Sequence, residues 1–277
     1  MSRVWPWLLL AFFLPSVGIA TDGETASSRL VFGVYPYLSP TQIVTQFSPL
    51  NRHLSATLGR PMELRSAPDF ARFIERTSQG EYDLIFTAPH MGRLAERRDG
   101  YVPIAQTGYQ IEVIALARED GPVKRLEDLR GRSLAIGAKM SMTYQVMSRS
   151  LAQAGLTLEQ DVRFIQTASF SNVVEAVVRR EADAGATGTL LWDTAPAEQR
   201  ATVREIFRAE PVPGFLVLAH PRVSEADRQR IQKALIEFAG TAAGAGYFEV
   251  TRQIDFRPID TATMERIDPF TAVFGLQ

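Results

Sequence analysis

Cysteine is absent from all 277 residues, which removes disulfides, thiolate metal sites, cysteine nucleophiles and a lipid-modified cysteine anchor together. Histidine is almost as scarce. His53, His90 and His220 are the three, and none has a partner at ligand spacing, so neither a metal site nor a cofactor is expected. Charge of one sign is also missing: 30 basic and 31 acidic residues leave a formal charge of -1, which offers no general field for nucleic acid or acidic lipid. Lysine is confined to Lys124, Lys139 and Lys233, which we read as genome composition. The chain carries no Gly-x-Ser-x-Gly, no His-Glu-x-x-His and no Gly-x-x-x-x-Gly-Lys-Ser/Thr. Ser141 and His90 could be paired as nucleophile and base, but no carboxylate in their loops would orient the imidazole, so no enzymatic activity is expected.

Long hydrophobic runs are missing after the first twenty residues. Within them, Arg3 is followed by VWPWLLLAFFLPSVGIA, an apolar stretch broken by Pro6 and Pro15 and ending in small residues. This is a secretory signal pattern over residues 1–20, with Gly18 and Ala20 satisfying the small-x-small cleavage rule. The alternative is an uncleaved anchor with Trp5 and Trp7 at the membrane interface. Loss of the leader removes one basic residue and leaves 29 against 31, a formal charge of -2. A free periplasmic protein fits these features.

What is present reads as an α/β protein: short apolar runs alternate with amphipathic helical patterns from Arg29 onward. RLVFGVYPY is a buried strand entering a Pro-rich loop, and Ile43, Phe47, Leu50, Leu54 and Leu58 then mark one helix face that Gly59 closes. PMELRSA, YDLIFTAPH, YVPIAQTGY, IEVIALARE, VRFIQTAS and GFLVLAH read as further strands. Asn172 with Glu175, and Ser224 with Asp227, are spaced as helix-start caps. IGAKMSMTYQ reads as a strand end, a polar loop and a helix start, the arrangement that holds an anion on free backbone amides.

Five strand-end loops are candidates for one cleft. Tyr37 and Ser39 stand in the first, Thr87 and His90 in the second, Ser141, Met142, Thr143 and Tyr144 in the third, Phe170 and Ser171 in the fourth, and Thr187 in the fifth.

The order of these pieces resembles the periplasmic substrate-binding proteins of phosphate, phosphite and phosphonate ABC transporters. The resemblance is carried by SPLNRHLSATLGRPMELRSAPDFARFIERTSQGEYDLIFTAPHMGRL, LEDLRGRSLAIGAKMSMTYQVMSRSLAQAGL and FSNVVEAVVRREADAGATG. It implies a two-lobed, type II periplasmic-binding-protein-like fold with the ligand cleft between α/β lobes, residues 29–110 and 221–277 forming the first and 111–220 the second. It implies a monomer that captures a small, anionic, organic solute for an ABC permease, or else a sensing module of the same fold acting on a membrane histidine kinase or cyclase. The chain departs from the family pattern at Ser141-Met142-Thr143-Tyr144, which stands where phosphonate binders carry Ser-Thr-Ser-Gly, and at Phe170, which stands where they carry histidine. With Met140 and Trp192 nearby in the reading, these changes point to a more apolar pocket, suited to an organic ligand with one anionic group. Intact-mass measurement of the exported protein should give a chain starting near Thr21; a mass that retains the leader would establish the anchor instead.

Overall fold

The computed structural model describes Met1 and residues 29–167, 170–193 and 195–275; the leader expected over residues 1–20 therefore lies outside the described residues, Met1 excepted. Two sheets organise the chain. The first half of the first lobe runs β1 (Leu30–Val34), α1 (Pro40–Leu58), β2 (Met62–Arg65), α2 (Phe70–Ser78), β3 (Leu84–Thr87), α3 (Pro89–Asp99) and β4 (Val102–Thr107). The chain then crosses into β5 (Val113–Arg118), β6 (Ser133–Ile136), α4 (Met142–Gln153), β7 (Arg163–Gln166), α5 (Phe170–Val178), β8 (Ala184–Gly188), α6 (Thr189–Trp192), α7 (Ala197–Arg200) and β9 (Val203–Arg208). It returns through β10 (Leu216–Ala219), α8 (Glu225–Phe238), α9 (Ala242–Thr251), β11 (Phe256–Pro258) and α10 (Thr261–Glu265).

The first sheet has the order β11-β4-β10-β3-β1-β2 and the second β7-β6-β8-β5-β9. β10 pairs antiparallel with both β3 and β4, so it is a central strand of the first sheet. Leu216, Val217, Leu218 and Ala219 are fully buried there, and β9 of the second sheet ends at Arg208. An apolar run by itself reports burial and not which sheet buries it.

Local chemistry explains the elements. Ser39 and Gln42 form a reciprocal capping box at the start of α1, and Gly59 closes it at φ 65°, a left-handed conformation that suits glycine. Pro49 lies inside α1 and the helix runs through it to Leu58. Ser224 caps α8 by accepting from the Asp227 amide at 3.1 Å, as its spacing predicts. Asn172 does not cap α5, because that helix already begins at Phe170.

The two lobes share a device at the amino ends of their strands. Asp83, just before β3, accepts from the Val31 amide of β1 at 2.7 Å and from Arg222 Nε at 2.6 Å. Asp183, just before β8, accepts from the Ser133 amide and hydroxyl of β6 at 2.8 and 2.7 Å. Burial pushes the Asp183 carboxyl up, but these bonds and Arg132 pull it further down, below the ordinary carboxylate range. Both aspartates thus tie neighbouring strands together at the ends away from the crossings. Asp83→Ala should lower the unfolding free energy in urea by about 2 kcal/mol, because it orphans the Val31 amide and Arg222, whereas Asp83→Asn, which keeps an acceptor, should cost less.

Candidate functional site

Strand polarity decides where a site can form. β1, β3 and β4 point their carboxyl ends the same way, since β10 is antiparallel to both β3 and β4. β4 leaves from that edge at Thr107, and β10 re-enters at Leu216 on the same edge. In the second sheet β5 enters at Val113 and β9 leaves at Arg208, both on the edge where β6 and β8 end. Both crossings therefore join carboxyl edge to carboxyl edge, and the strand-end loops of the two sheets face one another across the junction, the usual ligand position of open α/β sheets. The crossing strands are themselves paired: the Ile111 amide donates to the Val212 carbonyl at 2.9 Å and the reverse bond is 3.0 Å.

Five of the expected residues bring buried polar or apolar groups to these loops. Thr87, the last residue of β3, and Thr187, near the end of β8, are 0% and 1% exposed, and neither hydroxyl has a hydrogen-bond partner among the described residues. Ser141 is buried and its hydroxyl accepts from the Tyr144 amide at 3.2 Å as the N-cap of α4. Thr143 is buried in the first turn of that helix. The Met142 and Thr143 amides are first-turn groups with no partner inside the helix. Met142 is buried in the main apolar cluster.

His90 joins the two sides. It sits in the first turn of α3, is 0% exposed, and its Nε2 lies 2.9 Å from the carbonyl of Met140, just before Ser141 in the facing lobe. A carbonyl only accepts, so Nε2 carries the proton and Nδ1 is the bare nitrogen. Nδ1 is buried without a protein partner. Burial lowers the pKa to about 4, only partly opposed by the bond to Met140, so the ring is neutral at neutral pH. Its face stacks on Phe274, with centroids 5.6 Å apart.

Tyr37 is half-buried, stacked on Tyr35 at 4.7 Å and in contact with Phe215. Burial raises its pKa, with Gln253 pulling slightly the other way. Gln253 is a residue the sequence reading missed. It follows α9 and precedes β11, whose first residue Phe256 pairs with Thr107 at the carboxyl end of β4, so it too lies on the cleft edge. Gln253 is 1% exposed, and neither its amide oxygen nor its nitrogen meets hydrogen-bond geometry with any protein group. Tyr247, buried close to Tyr37, likewise has an unpartnered hydroxyl. No sequence motif marks either residue, because a Gly/Ala-rich helix followed by a single glutamine carries no pattern.

Three expected contacts are engaged elsewhere. Ser39 is exposed and its hydroxyl works in the α1 capping box. Tyr144 donates to Glu159 Oε1 at 2.5 Å and packs edge-on against Phe164, within its own lobe. Trp192 packs with Ile114, Leu116 and Val174, behind the second sheet. A helix-start residue can face the cleft or the flank, and helical spacing alone does not choose between them. The side chains of Phe170 and Ser171 lie outside the described residues.

No lysine or arginine is among the buried polar side chains of the described residues. Among the described residues no group of three or more His, Asp or Glu is placed to hold a metal ion, and no helix is long and apolar enough to cross a membrane. The buried groups that the edge offers are hydroxyls, one carboxamide, one imidazole acceptor and helix-start amides.

Comparison with known proteins places this geometry in a family. Residues 32–264 match the family described as ABC transporter, phosphonate, periplasmic substrate-binding protein. No curated protein matches the chain in sequence. Among solved structures, a Xanthomonas citri protein bound to chloride ion is similar with a TM-score of 0.78 at 23% identity, over 88% of this chain and 96% of that one. PhnD1 from Prochlorococcus marinus (MIT 9301) in complex with methylphosphonate has a TM-score of 0.78 at 13% identity, over 90% and 99%. The periplasmic aliphatic sulphonate binding protein SsuA from Escherichia coli is more distant, with a TM-score of 0.61 at 16% identity, over 89% and 86%. At these identities the structures report a shared fold. Because His90 is buried neutral with a lowered pKa, the protein should lose stability as pH falls from about 6.5, the unfolded histidine value, toward about 4. Urea titrations across that window should show a shallower loss in His90→Gln than in the wild type.

Proposed function

Because the chain belongs to the periplasmic substrate-binding proteins of phosphonate ABC transporters, we propose that it holds a small, organic, anionic ligand with a phosphonate-like head between its two sheets. One observation carries the reading: Thr87 and Thr187, at strand ends of the two opposite sheets, bury hydroxyls that no protein group satisfies. Burying an unpaired hydroxyl costs about 1 to 3 kcal/mol, and a site whose ligand restores the bond recovers that cost. Ser141, Thr143 and the first-turn amides of α4 add donors that suit an anion's oxygens. Tyr37, Met142 and Gln253 line the remainder, a mixture fitted to an organic substituent beside the head.

In this proposal the lobes are residues 29–110 with 216–275 and residues 111–215, and bending at the paired crossings opens and closes the cleft. The closed, loaded form is what a membrane permease recognises, so ligand affinity is converted into a choice of conformer. Residues 1–20 direct export to the periplasm, where the protein works as a monomer without catalysis.

Adding methylphosphonate or a larger alkylphosphonate should raise the melting temperature, a ligand at a hundred times its Kd stabilising by about 2.7 kcal/mol. No shift with any phosphonate, phosphite, phosphate or small organic acid would overturn the reading. Thr87→Val and Thr187→Val should each weaken binding by about tenfold while leaving the unliganded protein as stable or more so, since each removes a buried hydroxyl that bonds nothing in the protein.

A further inference from the structure

We propose that the cleft takes its tetrahedral anion with one acidic proton still attached, the ligand's O–H donating to His90 Nδ1. This rests on the cleft reading above and adds which ionisation state, and hence which anion chemistry, is selected.

Three observations converge on it. First, the bond from Nε2 to the Met140 carbonyl at 2.9 Å leaves Nδ1 as an acceptor only, and that atom is buried with no protein donor. The ring cannot easily turn its nitrogens over, because Phe274 stacks on its face and Met140 holds its far edge. Second, His90 stands in the first turn of α3 and its Nε2 bonds the residue just before Ser141, the N-cap of α4, so the ring lies beside the start of that helix. Third, no lysine or arginine is among the buried polar side chains of the described residues. The nearest cation along α3, Arg93, is engaged by Asp268 at 2.6 Å and by Glu96. A doubly charged anion would bring a second charge with no buried cation among the described residues to meet it, since Lys139 beside Met140 is exposed and engaged by Glu159 at 2.6 Å, whereas a single charge is within reach of hydroxyls and helix starts.

A hydrogen phosphonate matches this set: its bare oxygens accept from Thr87, Thr187, Ser141 and the α4 amides, and its one O–H fills Nδ1. A sulfonate of the same shape and single charge has three acceptors and no donor. It would set an oxygen against the Nδ1 lone pair and leave that buried nitrogen unpaired.

Calorimetric titration of the full exported chain with methylphosphonate and methanesulfonate, at a pH low enough for the phosphonate to keep one proton, tests this directly. The expected result is methylphosphonate binding at least about tenfold tighter, the loss a site's unpaired acceptor imposes on the analogue. In His90→Phe, which keeps the stacked ring but lacks Nδ1, the preference should shrink to near parity. Should that variant fold poorly, nitrogen NMR of the wild-type imidazole replaces it, and the Nδ1 resonance should move on adding methylphosphonate but not methanesulfonate. Equal wild-type affinity for the two anions, a preference retained in His90→Phe, or an unmoved Nδ1 resonance would overturn the proposal while leaving the phosphonate cleft standing. Binding of neither anion would overturn both.

Discussion

The two segments that cross between the sheets are held together by one short pairing, the antiparallel bridge of Ile111 with Val212. The two crossing segments are joined there by a reciprocal pair of backbone bonds, and they run close enough that side chains are excluded. A Cβ on Gly214 would lie 2.2 Å from the Tyr109 carbonyl and 2.4 Å from Thr107 Oγ1. Thr107 in turn accepts from the Phe215 amide at 3.0 Å, which seats the returning chain against β4. A junction this narrow concentrates any lobe movement into a few backbone angles. It also ensures that the carboxyl edges of both sheets stay turned toward each other.

The opposite ends of the sheets are built to stay fixed. Asp83 and Asp183 perform the same task in the two lobes, each binding the first amide region of the neighbouring strand. Gly33 and Gly185 lie beneath Tyr82 and Val173, where a Cβ would come within 2.6 Å of the covering side chain. The amino ends are thus tethered, while the carboxyl ends carry buried hydroxyls, an imidazole and a carboxamide. Among the described residues, none of the buried polar side chains on that edge is a lysine or arginine.

The α/β class, the capping residues Ser39 and Ser224, the close of α1 at Gly59 and the start of α4 at Met142 were all legible, because each follows from spacing within a few residues. The family pattern was legible too, through the order of its fragments. The strand at Leu216 was readable as a strand, while the sheet it joins was not, since its buried run reports only that both faces are covered. In the third loop, Ser141 and Thr143 are buried at the helix start, while Tyr144, one position on, leans toward Glu159 on its own lobe.

Local chemistry, then, was determined by the sequence: which segments are helix or strand, and where they start. Those properties depend on neighbours a few positions away. The tertiary structure alone decided that His90 meets the Met140 carbonyl 50 positions on, that the segment after Gln253 pairs with the carboxyl end of β4, and that Thr87 and Thr187 bury hydroxyls unsatisfied among the described residues. Burial and hydrogen-bond satisfaction are set by contacts distant in sequence, and no local pattern encodes them.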